Sequence, residues 1–262
     1  MESYFCTMEF PYWISRSTLL LGDEKVEKLI AANVLVIGLG GVGGICAEMI
    51  ARAGVGKMTI VDPDTVDASN RNRQIPALKS TENMLKANVM GERLRDINPD
   101  IELTVLTEFV EKDRILSILN EGNFNFVCDC IDTLKPKTDL LLACKAMKIP
   151  VVSSMGAGGK IDPTKLEICD ISETYHCNLA RYVRKYLQKN GIRKGITCVF
   201  SSEIADQSKI IVSEKAKPKK SIIGTISYLP TVFGCACASV AIRHITGDFK
   251  YKYKPKKRLK GK

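Results

Sequence analysis

From Asn33 onward, short runs rich in Val, Ile and Leu alternate with longer segments whose apolar residues recur at helical spacing. NVLVI, KMTIVD, ELTVLT, FVCDC and IPVVSS read as five strands in order, with helical segments expected over 43–53, 79–97, 113–121 and 136–148. This alternation is the signature of a parallel sheet covered by helices on both faces, so the pattern predicts an α/β, doubly wound, mostly parallel sheet. After Gly159 the order changes. LEICDIS reads as a strand, 178–190 as a basic helix, ITCVFSS as another strand and 230–244 as a closing helix. No Pro/Gly/Ser-rich linker separates the halves, which predicts one continuous domain over 1–248, its second half extending the sheet. The tail, 249–262, ends in KYKYKPKKRLKGK and is expected to be disordered.

One stretch needs a separate argument. Residues 221–242 carry no charge, and their length approaches that of a membrane span, but Gly224, Pro230 and Gly234 interrupt them. A buried strand, a turn and a core helix are the expectation, with no membrane partner. The 262 residues are 45% hydrophobic and 26% charged, which fits a packed domain rather than a disordered chain. A net charge of +10 points to an anionic partner, although much of the excess sits in the tail and in SEKAKPKKS, which also read as solvated segments. The ten cysteines are scattered through apolar stretches, and the start, MESYFCTMEF, lacks a basic leader pattern. A reduced, cytoplasmic protein is expected.

The candidate chemistry starts at VLVIGLGGVGGICAEMIARAG, where glycines lie between a hydrophobic strand and an amphipathic helix. Gly38 and Gly40, with Gly41 between them and the helix, permit a tight turn and close backbone approach. Gly43 lets the helix pack on the sheet, and its N-terminal N–H groups face a phosphate. Asp62 closes the second strand, where a carboxylate can accept hydrogen bonds from ribose hydroxyls. Turn and acid together make a Rossmann-like nucleotide-binding half, without separating NAD from ATP.

The run DPDTVDASNRNRQ decides between them. A triphosphate brings about four negative charges, and attack at its α-phosphate builds more. Arg71, Arg73 and Lys86 can compensate that charge, Asn70 can add a neutral donor, and Asp64 belongs to the same nucleotide-binding set. In CDCIDTLKPKTD, Asp132 falls at the C-terminal edge of the fourth strand and is the candidate to hold Mg²⁺ against the phosphates; a helix N-cap is its competing role.

GLGGVGG, DPDTVDASNRNRQ, Lys86 and CIDT, in that order, resemble the ThiF/MoeB/HesA adenylating superfamily. The resemblance implies that Asp62 holds the ribose, that Asn70, Arg73 and Lys86 bind phosphates, and that Asp132 sits by the metal. It also implies a homodimer in which Arg16 reaches the partner's site, making Arg16, Arg73, Lys86 and Asp132 the implied catalytic set. Other branches carry two CxxC pairs for zinc. This chain has only CxC pairs, Cys128/Cys130 and Cys235/Cys237, so no zinc is expected. Beyond the fifth strand, GAGGKIDPTKLEICDISETYHCNLARYVRKYLQKNGI, VFSSE and SYLPTVFG resemble the TcdA-type tRNA threonylcarbamoyladenosine dehydratases, with Asn178 where that branch commonly has Pro.

The resemblance runs from Arg16 to Gly247. It implies an ATP-dependent dehydratase that adenylates the threonyl carboxylate of N6-threonylcarbamoyladenosine near a tRNA anticodon, then cyclises it and releases AMP and pyrophosphate. Because the nucleophile is tethered in the substrate, no enzyme cysteine is needed. His176 and Cys177 are adjacent and poorly placed to act as a pair, Cys235 and Cys237 read as packing residues of the closing helix, and His244 reads as structural. A tRNA substrate would use a basic surface; Arg181, Arg184 and Lys185 share a helix face, with Lys189, Arg193 and Lys194 beside it. Whether sulfur-relay proteins are further partners stays open. The competing reading is a MoeB- or ThiF-like enzyme adenylating the C-terminal glycine of a sulfur-carrier protein, followed by a non-catalytic tRNA-binding scaffold with a degenerate nucleotide pocket and an NAD-dependent dehydrogenase.

Overall fold

The computed structural model describes residues 10–206, 208, 210–212 and 221–250, so Cys6, the basic segment 213–220 and the tail beyond 250 lie outside the described residues. A short turn, Tyr12–Ile14, and two helices, α1 (Ser15–Leu21) and α2 (Asp23–Ala31), lead into β1 (Asn33–Ile37). Alternation along β1 divides its side chains between two cores: Val34 and Val36 enter one, Leu35 and Ile37 the other. That strand is therefore covered on both faces.

The chain continues through α3 (Gly43–Arg52), β2 (Lys57–Val61), α4 (Lys86–Ile97), β3 (Glu102–Leu106), α5 (Lys112–Gly122), β4 (Phe126–Asp129), α6 (Leu134–Ala146) and β5 (Val151–Ser154). The second half adds β6 (Leu166–Asp170), α7 (Asn178–Lys189) and β7 (Thr197–Ser201). The seven strands run in the order β3-β2-β1-β4-β5-β7-β6, with β7 parallel to β5 and β6 alone antiparallel. The chain thus winds outward from β1 in one direction and from β4 in the other, which opens a crevice above their C-terminal ends.

Two expectations shift in detail. Residues 79–97 do not form one helix: a single turn, Lys79–Thr81, precedes α4. Between them Asn83 adopts φ 66°, and Val66 exchanges backbone hydrogen bonds with Asn83 and Met84, drawing the segment onto the strand-like stretch at Thr65. The strand expected within 221–242 is β9 (Ser221–Ile223), and it pairs with β8 (Ile210–Val212) in a separate two-stranded sheet.

The closing helix, α8 (Tyr228–Ile245), is the one helix among the described residues long and apolar enough to cross a membrane. It instead packs on α3, β4, β5 and β7, burying Leu229, Phe233, Cys237, Val240 and Ala241. Cys235, expected as a packing residue, is exposed.

The contact of α8 with α3 is backbone-close. A methyl at Gly234 would lie 2.1 Å from Ile45 Cγ2 and 2.3 Å from Val42 O. Gly234→Ala should therefore force the helices apart and cost about 1–3 kcal/mol by overpacking; chemical denaturation measures it, and an unchanged midpoint would show that the interface yields.

Candidate active site

The glycine turn sits where β1 and β4 diverge, and it fits only because side chains are missing. Gly38 has φ +89°, and a Cβ there would come 2.8 Å from Cys130 O; a Cβ on Gly43 would come 1.6 Å from Gly38 O. The start of α3 is thus pressed against the turn, and the turn against the end of β4. Beneath it Cys46 and Cys128 are buried; hydrogen bonds with Cys128 and Cys130, together with burial, push the Cys46 thiol well up.

Asp62 ties the second strand to this turn. Its Oδ2 accepts from Leu39 N–H at 2.6 Å and its Oδ1 from Asp64 N–H at 2.9 Å. Burial pushes its carboxyl above the ordinary aspartate range, against these hydrogen bonds and the nearby Lys86 charge. Asp64 in turn accepts from Lys86 Nζ at 2.9 Å. Lys86 stands at the first position of α4 and is only 5% exposed.

The Asn-x-x-Arg element forms a short turn, Ala68–Asn70, capped by Asp67, whose Oδ1 accepts from Ser69 N–H at 2.8 Å. Asn70 is buried and its Oδ1 accepts from Asp67 N–H at 3.3 Å. Arg73 Nη1 donates to Ser69 O at 2.9 Å and to Asn72 Oδ1 at 2.7 Å. Its carbonyl oxygen lies 3.3 Å from where a Gly41 Cβ would stand, so Arg73 is beside the turn. Arg71 points elsewhere, to Glu82 at 3.4 Å.

Asp132 occupies the exposed loop between β4 and α6, where Thr133 Oγ1 donates to its Oδ1 at 3.3 Å. Thr133, not Asp132, is the N-cap of α6. Among the described residues no three His, Cys, Asp or Glu side chains gather to hold a metal. One exposed carboxylate beside the glycine turn fits Mg²⁺, which takes few protein ligands and keeps its waters.

Other candidates lie away from this cluster. Arg16 is exposed on α1, whose contacts run to α2 and the preceding turn. Arg184 is half-buried and its Nη1 donates to Thr174 O at 2.7 Å and to the Thr174 hydroxyl, so it is less free than its face-mates Arg181 and Lys185. Lys189, Arg193 and Lys194 are exposed. His176 has φ 52° and its Nδ1 meets Ser202 O at 3.0 Å, while Cys177 is buried at the start of α7. His244 packs on Phe126 with ring centroids 5.1 Å apart, and burial lowers its pKa.

Sequence reasoning missed the buried charges under the loop. Asp129 and Lys137 are fully buried and paired at 2.7 Å. The signal was present: Lys137 interrupts the apolar stripe Leu134, Leu141, Cys144 at helical spacing, a position where a lysine is buried with the stripe.

The ThiF family profile matches residues 14–261. A tRNA threonylcarbamoyladenosine dehydratase of Bacillus subtilis (strain 168) is 37% identical over 245 residues, covering 91% of this chain and 96% of the relative. The crystal structure of E. coli tRNA N6-threonylcarbamoyladenosine dehydratase, TcdA, in complex with ATP aligns with a TM-score of 0.79 at 34% identity, covering 88% of this chain and 93% of the other. A molybdopterin-synthase adenylyltransferase of Haemophilus influenzae is 35% identical over 127 residues, 48% of this chain and 51% of the relative. The likeness to the dehydratases therefore includes the second half.

Lys86 gives a clean separation of stability from binding. Its ion-pair partner Asp64 has a side chain 63% exposed, and buried Asp62, which also feels the Lys86 charge, keeps its two backbone N–H donors, so Lys86→Met removes a buried ammonium and leaves Asp62 only partly uncompensated. The variant should stay within about 2 kcal/mol of the wild type. A loss exceeding about 2 kcal/mol in thermal unfolding would make the pair a structural prop.

Proposed function

The chain belongs to the ThiF family, and on that premise we propose that it is an ATP-dependent dehydratase of N6-threonylcarbamoyladenosine in tRNA. The observation that carries this reading is the convergence of Asp62, Lys86 and the Asn70–Arg73 element on one glycine turn, within a chain whose likeness to dehydratases spans both halves. The glycine turn and Asp62 by themselves do not distinguish NAD from ATP. Two cations beside it suit a triphosphate more than a dinucleotide.

In this reading Asp62 accepts hydrogen bonds from the ribose, and the N-terminal N–H groups of α3 face the phosphates. Lys86 and Arg73 lie where negative charge grows, with Asn70 as a neutral donor. Asp132 would hold Mg²⁺, which would supply further charge compensation to the phosphates. The threonyl carboxylate attacks the α-phosphorus and the bond to the β-phosphate breaks, releasing pyrophosphate. The carbamoyl group of the same substrate then attacks the activated carbonyl carbon, a five-membered ring closes, and AMP leaves with one former carboxylate oxygen. Tethering supplies the effective molarity that an enzyme nucleophile would otherwise provide.

The basic surface around Arg181, Lys185, Lys189, Arg193 and Lys194 suits an RNA backbone, and the anticodon arm is the part of tRNA that brings the substrate. Arg16 completes the site from a second copy in a homodimer; Tyr12, Leu19 and Leu20, 91%, 82% and 83% exposed, give that end of the chain an apolar surface for such a contact. The cysteines of the described residues are free, which suits a reducing cytoplasm.

The test is to incubate the protein with ATP, Mg²⁺ and threonylcarbamoylated tRNA and weigh the released nucleosides under mild conditions. Loss of one water from the modified adenosine is expected, and Arg73→Ala should slow AMP formation about a hundredfold or more. Unchanged nucleoside mass with folded protein, and pyrophosphate exchange that requires a carrier protein instead, would replace this reading with the carrier-adenylating one.

A further inference from the structure

Asp129 and Lys137 form an ion pair with no exposure at all, and such pairs are seldom the most stable solution for a core. Replacing both charges by apolar groups of similar volume commonly leaves stability unchanged or raises it. What this pair touches gives it another use. Asp129 Oδ2 accepts from Lys137 Nζ at 2.7 Å and from Ser153 Oγ at 2.5 Å, while its Oδ1 accepts from Ile131 N–H at 3.1 Å. Lys137 Nζ also donates to Ile131 O at 2.8 Å. Both polar groups of the Ile131 residue are thus held by one buried pair, and the next residue is Asp132.

The same loop is closed from the other side. Cys130 N–H donates to Ile37 O at 2.9 Å, and Cys130 O would be only 2.8 Å from a Cβ on Gly38. The segment from Cys130 to Asp132 therefore sits between the glycine turn above β1 and a charged anchor on β4, β5 and α6. Lys137 Nζ donates to Asp129 Oδ2 and to Ile131 O, so its ammonium serves the loop.

We propose that Lys137, Asp129 and Ser153 are positioning residues that fix the Ile131–Asp132 segment, and through it the carboxylate that meets Mg²⁺ and the phosphates. This rests on the reading of Asp132 given above. The clamp lies one residue from the ligand it orients, and substitutions in such supporting shells typically cost about 10- to 100-fold in metal affinity or activity.

The full-length double variant Asp129→Asn/Lys137→Met removes the charges while keeping volume, and Ser153→Ala removes one donor with little risk to folding. Three quantities are measured on each: the melting temperature, amide exchange at Ile131 and Asp132, and the Mg²⁺ concentration that half-saturates the gain in ATP affinity by calorimetry. The double variant should melt near the wild-type temperature, exchange faster at those two amides, and need roughly tenfold or more Mg²⁺. Ser153→Ala should move in the same direction by less. A merely structural pair would change melting and leave the Mg²⁺ midpoint alone. If both variants keep that midpoint within about twofold while Asp132→Ala abolishes the Mg²⁺ response, the clamp is wrong and the metal assignment stands. If Asp132→Ala itself responds normally to Mg²⁺, the assignment of Asp132 fails and the clamp's role falls with it.

Discussion

The site depends on the near-contact of two backbones: the turn at Gly38 lies against the end of β4, and the first turn of α3 lies against Gly38. A single methyl at Gly43 would reach within 1.6 Å of Gly38 O, so the start of α3 could not stay where it is. Because that contact is backbone on backbone, it fixes the helix N-terminus more firmly than side-chain packing could. Asp62 is fastened to the same turn through Leu39 N–H, which brings the end of β2 into register with it. The crevice above β1 and β4 is thus a consequence of strand order and of missing Cβ atoms together.

Around that turn the charges are placed before any nucleotide arrives. Lys86 rests on Asp64, and Arg73 rests on Ser69 O and Asn72 Oδ1, so in the proposed reaction neither cation would have to be gathered from solvent. Charge already held in place costs no reorganisation at the moment of reaction. A carboxylate is a poor electrophile because oxide is a poor leaving group. Moving it onto the α-phosphate converts that oxide into part of AMP, and the protein's contribution is to steady the charge while it moves.

Much of this was legible in the chain. The glycine turn and the strands could be read because their constraints are local: a strand buried on two faces must be apolar, and a phosphate turn must lack side chains. The order of Asp62, Asn70, Arg73 and Lys86 after the turn could be read as well, and the structure gathers them beside it. The segment 79–97 misled because its helical spacing is real only from Lys86; Asn83 at positive φ and the pairing of Val66 with Met84 depend on a tertiary contact. The apolar stripe of its helix marks Lys137 as buried, but nothing in the sequence pairs it with Asp129, and only the sheet shows that they face each other across a buried space. The Arg181, Arg184 and Lys185 face was recognisable from spacing, whereas the tie of Arg184 to Thr174 arises from a loop that helical periodicity does not describe.

The central claim is that a substrate carboxylate becomes a mixed anhydride with AMP. It is tested most directly by labelling both carboxylate oxygens of the threonylcarbamoyl group with heavy oxygen, allowing one turnover with ATP, and weighing the AMP released. The account predicts that each AMP carries one labelled oxygen and that pyrophosphate carries none. Unlabelled AMP accompanying ring closure would mean that the carboxylate never joined the α-phosphate, and would contradict the account at its root.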